Sequence, residues 1–103
     1  MTGPDAGKRE RAFQMDLFWA DLKIGFALIR SARAGYELGQ PGPADRNLEC
    51  ARDAYSDASR LLASLAGPDM SAIDPDLSKL QDEIEATERL RNNGWWRARA
   101  VYN

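Results

Sequence analysis

Sixteen carboxylates, one cysteine and no histidine are what this 103-residue chain offers for chemistry. The lack of histidine removes the commonest general base and every Ser-His or Cys-His nucleophile pair. One cysteine without histidine cannot assemble a usual zinc ligand set. A di-iron site in a helical bundle draws on inward glutamates and Glu-x-x-His motifs. Glu83, Glu85 and Glu88 lie mainly off the apolar row of their helix and read as a solvated face. Asp69, Asp74 and Asp76 lack the spacing of a calcium loop and suit capping and turn roles. No phosphate-binding loop or dinucleotide fingerprint occurs. Asp21 falls between Leu17, Gly25 and Leu28 at about 100° per helical residue, on an otherwise apolar side. There it either finds a partner in Arg46, Arg52 or Arg60, or sits at the edge of the buried face and reaches water. Cys50 lies off the main row of its helix, with Arg46 opposed by Glu49 and Asp53, and reads as an inert thiol. The chain is therefore expected to carry no catalytic residue, metal or cofactor, and not to be an enzyme.

The elements that position these side chains follow from period and punctuation. From about Arg9 to Leu38 there is no proline, and Met15, Phe18, Leu22, Gly25, Ile29, Ala32 and Tyr36 recur in alternating steps of three and four. That is the packing seam of a first helix, about 45 Å long at 1.5 Å per residue, ending at Gly39. A second helix is expected over about 43–66, opened by Pro43 and stopped by Gly67-Pro68, with Leu48, Ala51, Tyr55, Ala58, Leu62 and Leu65 as its row. A third is expected over about 75–91, capped by Asp74, opened by Pro75, stopped by Asn92-Asn93-Gly94, with Leu77, Leu80, Ile84 and Thr87 as its row. Short connections favour antiparallel neighbours. The expected fold is all-α: an antiparallel three-helix bundle over 9–94 with a long first helix, a flexible arm over 1–8, and an aromatic, basic tail over 95–103. Gly25 stands in the packing seam, where a missing side chain makes room for a facing one such as Tyr55 or Leu62.

Hydrophobic residues at 44% and charged residues at 29% are those of a globular chain, and one domain fits the length. A net charge of −2 gives no electrostatic reason to expect nucleic acid, and no apolar run approaches a membrane span. The polar N-terminus lacks the apolar run of a secretory signal, and with one cysteine the default compartment is the cytoplasm. Trp95 and Trp96, followed by Arg97, Arg99 and Tyr102, could stack on bases. The reading preferred here is that they fold back over the core.

The most unusual feature is surplus apolar surface on the first helix. Phe13, Leu17, Ile24 and Leu28 form one flank of the main row, and Trp19 and Phe26 form the other. A helix packed against two neighbours does not need so wide an arc. The expected role is a non-catalytic protein–protein interaction or assembly module, with self-association as a homodimer or another protein as partner. The alternatives are coverage of the stripe by Trp95, Trp96 and Tyr102 of the tail, and an apolar small ligand held near Trp19, Phe26 and Tyr55. Ala51, Tyr55 and Ala58, with Tyr36 before them, resemble the small-aromatic-small spacing of a tetratricopeptide-like unit over about residues 29–62. Arg33 stands where that repeat has a small residue, and the turn is longer than in the repeat. The three-helix pattern is similar to a microtubule-interacting-and-transport-like domain. Either resemblance implies a helical module that binds peptides or proteins.

Overall fold

A proline at position 4 opens the first helix: α1 spans Pro4–Glu37, α2 Pro41–Ser64 and α3 Asp74–Asn93. The computed structural model describes residues 4–65 and 74–93, and among these all regular structure is helical. The chain is thus an all-α three-helix bundle in which α1 packs against both α2 and α3. Residues 4–8, expected as part of a loose arm over 1–8, are already helical. Proline at a first helical position holds φ near the helical value and needs no N–H partner. Gly7 interrupts nothing at a cost of about 1 kcal/mol. Likewise α2 starts at Pro41, at its first turn, two residues before the expected Pro43. Pro43 still lies in the first turn, where N–H groups have no intrahelical partner. The α3 helix runs two residues beyond Arg91. The expected stops at Gly67-Pro68 and Gly94, and the tail over 95–103, lie outside the described residues.

The end of α1 shows why the chain reverses where it does. Gly39 takes φ 71°, open to glycine at no steric cost. Its N–H donates to the Tyr36 carbonyl at 3.1 Å, and the Gln40 N–H donates to the Gly35 carbonyl at 2.8 Å. These two bonds are the paired signature of a glycine-terminated helix and satisfy carbonyls that would otherwise be orphaned. At the other end of the pair, the Arg11 guanidinium donates to the Leu65 carbonyl at 3.4 Å, where the negative pole of α2 favours a cation.

The expected seams form the core. Phe18, Leu22, Ile29, Ala32 and Tyr36 of α1 are buried, with Met15 partly so. They meet Ala44, Leu48, Ala51, Ala54 and Ala58 of α2, and Leu77, Leu80, Ile84 and Thr87 of α3, and Leu65, just past the end of α2, is buried too. The Thr87 hydroxyl is satisfied by the Glu83 carbonyl one turn back, at 2.8 Å. Two close approaches fix the helix spacing. A Cβ at Gly25 would stand 2.7 Å from Leu80 Cδ2 and 3.6 Å from Ala54 Cβ. A Cβ at Gly35 would stand 2.9 Å from Ala44 Cβ and 3.3 Å from the Gln40 carbonyl oxygen. So Gly25 does mark close helix approach, but the residue it admits is Leu80 of α3, not Tyr55 or Leu62. Tyr55 and Leu62 are instead partly buried at the edge of the core.

Candidate interaction surface

Six residues of α1 stood out as surplus apolar surface, and the structure sorts them. Phe13 is 63% exposed, Ile24 52%, Trp19 43% and Leu17 42%. Leu28 and Phe26 are partly buried and pack against the core. The two flanks do not merge. Leu17 faces α2, sharing a groove with Asp21, Asp57, Arg60, Leu61 and Ser64. Phe26 faces α3, in a groove with Lys23, Arg30, Asp76 and Lys79. Trp19 stands edge-on to Phe18, ring centres 5.4 Å apart at 75°. Apart from Trp19, the exposed apolar surface is thus the Phe13–Leu17–Ile24 side, and Leu28 is its inner border.

Sequence reasoning missed how far this side extends. Phe13, Leu17, Ala20, Ile24, Ala27, Ser31, Ala34 and Leu38 are all exposed. Their steps alternate four and three, the spacing of a second packing seam laid on the outer face of α1. None of its eight residues is charged. The signal was in the sequence, but a search for bulky apolar residues passes over alanine, which also serves as a plain helix former.

The groove between α1 and α2 is open, about 320 Å³, and holds the half-buried Asp21 beside the exposed Asp57. Burial, and to a lesser degree the Asp57 charge, raise the Asp21 carboxyl above its ordinary value of 3.8. Of the three arginines considered as its partner, Arg52 binds Glu88 at 2.8 Å. Arg60 lines the same groove and pairs with Asp57. Arg46 is exposed and does not line that groove.

The remaining candidates fall as follows. Glu83 and Glu88 are not simply solvated: Glu83 bonds Arg33 of α1 at 2.7 Å, so that α3 is tied to α1 and, through Glu88, to α2. Glu85 is exposed, beside Gln81. Cys50 is exposed. The Tyr36 hydroxyl donates to Asp45 where α1 meets α2, and burial followed by that carboxylate raises its pKa. Phe26 and Tyr55 line separate grooves. Tyr55 lies between α2 and α3, where its hydroxyl donates to Gln81 Oε1 at 3.1 Å. Ala51 and Ala58 are buried against the core. Trp95, Trp96 and Tyr102 lie outside the described residues. No helix among the described residues is long and apolar enough to cross a membrane.

No family model, curated protein or solved structure matches the chain. The tetratricopeptide-like and microtubule-interacting-and-transport-like resemblances therefore rest on their residues alone.

Proposed function

We propose that the chain is a non-catalytic interaction or assembly module whose contact surface is the outer seam of α1. The observation that supports this reading is the exposure of Phe13, Leu17 and Ile24 on one side of a helix whose core row, Phe18 to Tyr36, is already buried against its neighbours. Contiguous apolar surface of this kind marks contact sites on soluble proteins. The apolar-ligand alternative loses support, because Phe26 and Tyr55 line different grooves and the groove at Phe26 is lined mainly by charged side chains. The competing cover, Trp95, Trp96 and Tyr102 of the tail, is an outcome that the test below separates.

The test is Leu17→Glu with Ile24→Glu in the full chain. Leu28 is left intact because it packs against the core. The double variant should keep the helical circular-dichroism signal of the wild type. It should also lose what the exposed seam confers, namely a mass that rises with concentration, or binding of a hydrophobic dye if the wild type stays monomeric. A variant that unfolds would show the seam to be internal core and overturn the reading. So would a wild type that neither associates nor binds dye.

A further inference from the structure

The outer seam of α1 alternates in size as well as in polarity. Its bulky residues, Phe13, Leu17 and Ile24, are answered further along by its small ones, Ala20, Ala27 and Ser31. Laid antiparallel on a copy of itself, with the two-fold axis at the level of Leu22, the seam sets Phe13 opposite Ser31. In the same register Leu17 meets Ala27, and Ile24 meets Ala20. Each layer formed by these six residues then joins one large and one small side chain, the interdigitation that closely packed helix pairs require, while Ala34 and Leu38 lie beyond these layers. The parallel, in-register pairing instead stacks Phe13 on Phe13 and leaves Ala20, Ala27 and Ser31 facing themselves across gaps.

Charge gives a second and independent discrimination. Asp16, Lys23, Arg30 and Glu37 line one edge of the seam at seven-residue intervals, and Gln14, Asp21, Leu28 and Gly35 line the other. In the antiparallel register Asp16 comes opposite Arg30 of the second copy, twice by symmetry. In the parallel register Asp16 would meet Asp21 of the second copy, also twice. Edge charges of this kind set orientation in paired helices. Asp16 and Arg30 are both exposed. Against the antiparallel register stand Lys23 and Asp21, each near its own copy at the axis; the long, exposed Lys23 side chain can turn its head into water.

We infer that the partner of this surface is a second copy of the chain, joined as a two-fold dimer by antiparallel pairing of the outer seam of α1 about Leu22. The inference rests on the reading of that seam as an interaction surface and adds its occupant, orientation and register. Two-fold symmetry is the commonest closed assembly and demands a self-complementary patch, which the size alternation supplies. The groove beside the seam then borders the partner, with Leu61 and Arg60 of α2 at its rim.

The experiment uses the full chain with Cys50→Ser, so that one introduced cysteine carries a nitroxide label. With Lys23→Cys, near the axis, the two labels of a dimer should lie within about 20 Å, the reach of two label arms across one helix pair. With Arg9→Cys they should lie about 40 Å apart, from the helical rise over twice the distance to the axis. Charge variants test the register separately. Asp16→Arg and Arg30→Asp should each raise the dimer dissociation constant about tenfold, from two exposed pairs turned repulsive. The double exchange should restore it. Short distances at both label sites would show parallel pairing and overturn the orientation while leaving the interaction reading intact. A wild type monomeric at high concentration would overturn self-pairing, and dye binding lost in the Leu17→Glu, Ile24→Glu variant would then keep the surface for another protein. Unfolding of that variant would remove both.

Discussion

Asp21 is partly buried beside Asp57, with Arg60 already committed to Asp57. Burial and that neighbour hold its carboxyl above 3.8. The folded chain therefore binds more protons at Asp21 than the unfolded chain does just above that pH, and stability falls as pH rises through this window. Asp21→Asn removes the effect. The variant should melt higher than the wild type at neutral pH, and the two melting curves should converge as pH drops below 3.8. A variant that melts lower at neutral pH would instead reveal a favourable partner for the carboxylate. Two of the helical glycines, Gly25 and Gly35, invite a similar comparison. At Gly25 an added methyl meets the tip of Leu80, which can turn, and alanine regains about 1 kcal/mol of helix propensity. Gly25→Ala should lie within about 1 kcal/mol of the wild type. At Gly35 the same methyl meets Ala44 Cβ and the Gln40 backbone, which move only if the helices separate. Gly35→Ala should cost about 1–3 kcal/mol by overpacking. Denaturant titration of both variants decides this, and equal costs would contradict the packing described.

At the scale of the helices, what the sequence made legible was periodicity and what it hid was register. Phe18, Leu22, Ile29, Ala32 and Tyr36 were readable as a buried row because alternating steps of three and four mark one face of a helix. The turn at Gly39 was readable because few residues other than glycine take its φ. Leu80 as the occupant of the space at Gly25 was not readable, since spacing within α3 does not say which of its turns meets α1. The same holds for Arg33–Glu83 and Arg52–Glu88, which join residues 50 and 36 positions apart. On a helical wheel Glu83 and Glu88 lie off the apolar row. In the bundle they flank that row on its two sides, within reach of α1 and α2 respectively. Each pair is about one-third or more exposed and contributes at most about 1 kcal/mol. Their effect is to set where α3 lies along the other two helices. The outer seam of α1 escaped for a different reason. Half of it is alanine and serine, whose apolar character is slight until a second helix lies against them.

For the whole molecule, the three helices share their load unevenly. The long α1 is gripped along Phe18–Tyr36, where α2 and α3 both contribute core residues, with Gly25 between Ala54 and Leu80. Toward its N-terminus, the Arg11 contact with the Leu65 carbonyl joins it to the end of α2. Phe13 and Leu17 lie in this less enclosed stretch and are exposed. A second copy paired about Leu22 would bring its own Ser31 and Ala27 against these two residues, supporting one chain's weakly held half with the other's strongly held half. Dimerisation and folding are then thermodynamically linked, since a partner that binds only the folded state stabilises it by mass action. For a domain of this size a hundredfold rise in protein concentration should raise the melting temperature by about 5 °C if the dimer persists to the transition. The increase should vanish in the Leu17→Glu, Ile24→Glu variant, whose melting temperature should not depend on concentration. Calorimetry across that range checks both statements, and a wild-type melting temperature that ignores concentration would mean that the N-terminal half of α1 is held without a second copy.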